Sequence, residues 1–359
     1  MPQQHRVAMT TPWLDATCCG GLSAFVCIAI LFWGWIAPDH LNSYFHADAN
    51  WFLVNELLIN WPHFMASYRL IYRDRETVGK HPWVAIVVPL ACLIAISWTA
   101  WTFVPVAAGG ETTVLVLRLV VPFAHILLAW HYTGQAWGMT ACFAHLGGLH
   151  MNNRERLLIR SGMRALFVYH VLWGWGPGLL DSILPYEEAG RYVMQSLMAL
   201  TRVAIFVTFI AGLWGFGQLA KREQRSIPIR SWLPWAAIFL WYLMLDRHRG
   251  TFLLLQVFHA LQYLIFPLRV EWNDFTNQQD STRKRTTHIV LYYALLVILG
   301  LIVFDGPVTL TTTLESSLPI AALIAAGVNI HHYFIDSVIW KIRDPRVRQA
   351  LFGHLPVTR

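Results

Sequence analysis

An otherwise apolar run from Pro319 to Trp340, long enough to cross a bilayer, contains Asn329-Ile-His331-His332-Tyr333-Phe-Ile-Asp336. Two imidazoles and a carboxylate at membrane depth are costly unless they meet partners, so they mark a candidate site. Residues three, four and seven apart share a helix face, which puts Asn329, His332 and Asp336 together. Three other apolar segments repeat the pattern: Glu56, Asn60, His63 and Ser67; His131 with Gln135; and His259 with Gln256, Gln262 and Tyr263. Imidazoles backed by amides and carboxylates are the donor set of a metal or haem centre, because a ligating histidine usually gives its second ring N–H to such a group. The expected ligands are therefore His63, His131, His259 and His331 or His332, with Asn60, Gln135, Gln262, Asn329 and Asp336 orienting them. His331 and His332 point about 100° apart, so one ligates while the other orients it or contacts substrate. His125 and His170 are read either as further ligands or as ordinary interhelical hydrogen bonds.

Glu56, Tyr263 and Tyr333 are the groups available for proton transfer. Arg202 lies some ten residues into an apolar segment and needs a counter-charge. Glu56 or an anionic group of a substrate would serve, and Arg202 joins the catalytic candidates on that ground.

The elements that position these residues follow from composition. Of the 359 residues, 56% are apolar and 13% are charged, against roughly 25% charged in soluble domains. Repeated apolar runs of membrane length predict an all-α, polytopic membrane helix bundle forming one domain over 1–359. About ten spans fit, near 18–36, 51–72, 82–107, 113–134, 164–184, 192–219, 231–246, 250–269, 288–304 and 318–341, with the fourth able to continue to Ala144. Asp181 falls near the outer end of the fifth. The net charge of +7 collects in alternate loops, around Arg73 to Lys80, Arg154 to Arg164, Lys221 to Arg230, Arg283 to Arg285 and Lys341 to Arg348. This excess is an orientation signal and not a nucleic-acid surface: both termini are expected in the cytoplasm. Asp344-Pro345 is expected to end the last helix. Five scattered cysteines without a C-x-x-C pair read as small core residues.

Depth connects the histidines. His63 stands 9 residues before Tyr72, His259 stands 10 before Arg269 and His332 stands 9 before Lys341. At 1.5 Å per residue each is roughly 13–15 Å from the inner boundary. Neutral imidazoles with few carboxylates and no thiolates suit non-haem iron, copper or zinc, or axial ligation of haem. A site inside a bilayer favours an apolar substrate arriving from lipid. Iron with O₂ is the usual means of attacking an unreactive C–H or C=C bond, so the expected function is an oxygenase, hydroxylase or desaturase supplied by an electron-donor protein. A haem-binding electron-transfer protein and a proton-coupled transporter are the alternatives. The expected setting is a bacterial inner membrane.

The arrangement resembles histidine-rich integral-membrane oxygenases. The doublet His331-His332 is similar to one of the histidine boxes of the fatty-acid desaturase and alkane hydroxylase superfamily. Placement of His63, His131, His259 and His331/His332 on separate spans resembles the bacterial β-carotene-cleaving membrane dioxygenases, which implies one iron held by histidines of several helices.

Overall fold

The computed structural model describes residues 8–47, 50–103, 111–176, 188–276, 282–313 and 320–355. Asp181 lies outside them. Every regular element among the described residues is helical, as backbone groups that must be satisfied without water require. Five helices are long and apolar enough to cross a membrane: Pro12–Ile36, Gly190–Glu223, Arg249–Phe275, Lys284–Leu310 and Ala321–Ile339. The expected fourth span is part of a helix running Glu111–Leu146.

The chain groups into two compact units, each built from two separated stretches: Met1–His46 with Leu117–Phe252, and Ala47–Val116 with Leu253–Arg359. Sequence composition reads as one domain because no polar linker marks either boundary.

In the first unit, helices Asn153–Gly174 and Glu188–Glu223 pack along their length. A side chain at Gly212 would collide with the Trp235 indole, so its absence lets that ring lie flat on the helix. Trp235 stacks on Phe209 at 5.2 Å and donates to the Ile159 carbonyl at 3.0 Å. Asn152 and Glu155 cap the start of Asn153–Gly174 reciprocally, at 2.8 and 2.9 Å. Arg222 closes on the same Glu155 carboxylate through Nε and a terminal nitrogen, at 2.8 and 2.9 Å. One carboxylate thus ties a helix start to the end of its neighbour.

The second unit carries His63, His259 and the doublet His331-His332 on three helices: Trp61–Ile71, Phe252–Thr276 and Ile320–Ile339. A π-helical turn, Glu56–Asn60, leads into the first. Pro62 has no N–H, so the Leu58 carbonyl four residues earlier loses its usual donor. The Tyr293 hydroxyl donates to it instead and ties helix Thr282–Gly300 to this turn. Gly300 makes that approach possible, since a Cβ there would sit 2.6 Å from the Trp61 Cβ. The helix bearing His332 ends at Ile339, and Asp344-Pro345 begins the next one, Pro345–Phe352, instead of ending the last. Asp344 accepts from the Arg346 N–H at 3.0 Å, and proline at the first helical position loses no hydrogen bond.

Candidate metal centre

His63, His259 and His332 come together in the core of the second unit. Their relative exposures are 1, 2 and 0%, and one potential ligand nitrogen from each lies within 4.8 Å of the others. The His63 ring centre stands 4.8 Å from that of His332 and 5.3 Å from that of His259, edge to face in both pairs. Imidazole bonds of about 2.0–2.1 Å to one tetrahedral ion would bring the nitrogens to roughly 3.3–3.4 Å from one another, so the rings would close in by up to about 1.4 Å.

The His63 ring is held by its own helix. Its Nδ1 meets the Asn60 carbonyl, which can only accept, so Nδ1 carries the proton and Nε2 keeps its lone pair. That Nε2 is buried and has no hydrogen-bond partner. A buried acceptor left in this state fits a metal ligand. The Asn60 side chain donates to Glu56 Oε2 at 2.6 Å, while Glu56 Oε1 is buried with no hydrogen-bond partner. The polar face expected from Glu56, Asn60, His63 and Ser67 is thus one connected structure, except that the backbone of Asn60, and not its amide, orients the histidine.

His332 is backed by Asp336, with Nε2 to Oδ2 at 3.4 Å. The Asp336 carboxylate also meets the Ser67 and Tyr263 hydroxyls, each at 3.1 Å, and those hydroxyls stand 2.6 Å apart. Tyr263 therefore touches the carboxylate behind the histidines, and its ring stands 5.6 Å from His63 and 5.8 Å from His332. Gln262 is buried on the His259 helix, 1% exposed. Asn329 is engaged elsewhere: its amide donates to the Ala325 carbonyl at 2.7 Å and accepts from Tyr333 at 3.2 Å.

The choice within the doublet follows from hydrogen bonding. His331 Nε2 lies 2.9 Å from the Val84 carbonyl, and Nδ1 lies 3.0 Å from the Tyr68 hydroxyl. Both its nitrogens are in use. His331 pins its helix to Tyr68 and to the backbone at Val84, and His332 faces the other histidines.

His131, Gln135, His125, His170 and Arg202 belong to the first unit. His170 Nδ1 lies 2.7 Å from the Tyr242 hydroxyl, and the His125 ring centre is 6.4 Å from that of His170. Arg202 grips Asp246 through Nε and a terminal nitrogen, at 3.1 and 2.7 Å, beside a Tyr169 hydroxyl at 2.6 Å. Asp246, and not Glu56, is its counter-charge. Sequence reasoning had placed Asp246 in a tight turn, one helix away in the chain from Arg202.

Sequence reasoning also missed Phe64 and Tyr68. The Phe64 ring is 4.1 Å from His63 and 4.8 Å from His332, which closes the apolar side of the group. Its only signal was adjacency to His63. Below the group, a cavity of about 140 Å³ lies between the helix ends, floored by Leu70, Val270 and Trp340 and rimmed by Arg73, Lys80 and Arg346.

Fold and site together define an all-helical protein with membrane-type apolar helices and a buried three-histidine group able to hold a metal ion. Comparisons with known protein families, with characterised proteins and with solved structures give no match.

Proposed function

We propose that this chain is a membrane-embedded, histidine-ligated oxidoreductase of the oxygenase, hydroxylase or desaturase type, holding non-haem iron and acting on an apolar, lipid-like substrate. The convergence of three fully buried imidazole nitrogens within 4.8 Å of one another carries this reading. Bound iron would supply activation of O₂ for attack on a C–H or C=C bond. His63, His259 and His332 would hold it through imidazole nitrogens. Asp336 fixes the His332 ring, and the Ser67 and Tyr263 hydroxyls hold a proton beside that carboxylate. Phe64 and its neighbours exclude water.

Copper and zinc accept the same donors; iron is preferred because an apolar substrate offers only unreactive bonds. In the proposed setting the chain crosses a bacterial inner membrane ten times with both termini in the cytoplasm, and a separate donor protein brings electrons to the basic inner face. The alternation of basic loops supports that orientation.

Metal analysis of the purified protein tests the reading. Wild type is expected to hold close to one equivalent of iron, and His63→Ala, His259→Ala and His332→Ala are each expected to lose most of it. A wild-type protein free of metal, or three variants with undiminished metal, would overturn it.

A further inference from the structure

The apolar side of the histidine group is closed by two rings in series, Phe64 against His332 and Phe304 outside it. Phe304 stacks on Trp61 at 5.7 Å and 12°, and packs on Phe64 at 5.3 Å. Phe64 in turn lies 4.8 Å from His332. Phe304 is half-buried, while Leu301 and Ile302 beside it are 42 and 60% exposed. They belong to the apolar helix Lys284–Leu310, of which only 17% is buried, against 72% of Arg249–Phe275. An apolar helix so exposed over its length is a lipid-facing one.

The backbone behind Phe304 is also unusual. Leu301–Asp305 is a π-helical turn between Gly300 and Gly306. Such turns recur at functional positions. Gly300 brings this turn against Trp61, and a side chain at Gly306 would meet nothing within 4 Å. The turn can therefore adjust at its far end without disturbing the packed end.

We infer that Phe304 is a lateral gate, through which a hydrocarbon-chain ligand dissolved in the bilayer reaches the histidine group. The inference rests on the metal reading above and adds the route and the polarity of what enters. Rotation of the Phe304 ring, with slight relaxation of the π turn, opens a passage from lipid to Phe64, the ring that lies against His63 and His332.

The test compares two chelators on the metal-loaded protein in phosphatidylcholine vesicles: apolar 1,10-phenanthroline and its membrane-impermeant sulfonated analogue. Phe304→Ala is expected to speed metal loss to the apolar chelator at least about fivefold and to leave loss to the sulfonated one unchanged. Phe304→Trp is expected to slow the former. Equal acceleration toward both chelators, or none toward either, overturns the gate.

A second measurement needs no metal. The Phe64→Cys thiol, followed by peptide mass analysis, is expected to react faster with N-ethylmaleimide in a Phe304→Ala background. Its reaction with a charged methanethiosulfonate is expected to stay unchanged. An unaltered maleimide rate overturns the gate. Absence of metal from wild type would count against the metal reading alone, and the thiol measurement would still decide the gate.

Discussion

In the first unit His170 is as deeply buried as any histidine of the second, at 0% exposure. Its Nδ1 lies against the Tyr242 hydroxyl, and Tyr132, Trp173 and Phe252 ring it at centre distances of 5.8, 6.3 and 6.2 Å. Its Nε2 makes no hydrogen bond, yet the His125 ring stands 6.4 Å away, and among the described residues no group of three potential ligands includes either. In the second unit three imidazoles turn nitrogens toward a common point, and each carboxylate or hydroxyl around them stands behind a ligand. Deeply buried histidine is thus common to both units. Convergence is not, and it is convergence that an ion requires.

The sharpest way to break the comparison is to exchange which unit is damaged. Alanine at His63, His259 or His332 is expected to lower bound metal tenfold or more by atomic emission. Alanine at His125 or His170 is expected to leave the stoichiometry intact. Equal losses from both sets would remove the distinction. A smaller effect is expected behind the ligands: Asp336→Asn should weaken metal affinity by about 10–100-fold in a competition titration, as loss of an orienting partner does. His331→Ala should leave that affinity within a few-fold and lower thermal stability instead, since its ring joins Tyr68 to the Val84 carbonyl.

In the first unit Tyr242→Phe is expected to keep metal content and cost about 1–3 kcal/mol in denaturant, the usual penalty of a buried polar atom left unpaired. The smallest effect belongs to the pair of the solvent-reaching Arg222 and the buried Glu155. The Arg222 guanidinium holds the Glu155 carboxyl below its ordinary value. A lowered folded-state value means that the stabilisation is present above the unfolded-state value and lost as pH falls through the folded one. Arg222→Gln should therefore lower the melting temperature by a few degrees at most near neutrality. The difference from wild type should vanish in acid.

Much of this was legible in the sequence, for reasons that particular residues show. The face Glu56, Asn60, His63 and Ser67 followed from helical spacing, and the match in depth of His63, His259 and His332 followed from counting to the basic loops. Depth is one coordinate, however, and says nothing of which helices are neighbours. The orientation of His331 depended on Tyr68 and on a backbone carbonyl at Val84, and a carbonyl has no sequence signature. The π turns at Glu56–Asn60 and Leu301–Asp305 add a residue to a helical turn, so the face that Phe304 presents cannot be counted from ordinary spacing.

The discontinuity of the second unit also has a consequence in time. Ser67 and Asp336, which meet at 3.1 Å, are 269 residues apart in the chain. His63 precedes His332 by the same interval, and Leu117–Phe252 is made between them. At roughly 5–20 residues per second of synthesis, the early half of the centre waits on the order of 15 to 50 s for its other half. Glu56, Asn60 and His63 pass that interval with only one another for company. The short-range contacts among them, from Asn60 to Glu56 and from His63 to the Asn60 backbone, already exist within a single nascent segment.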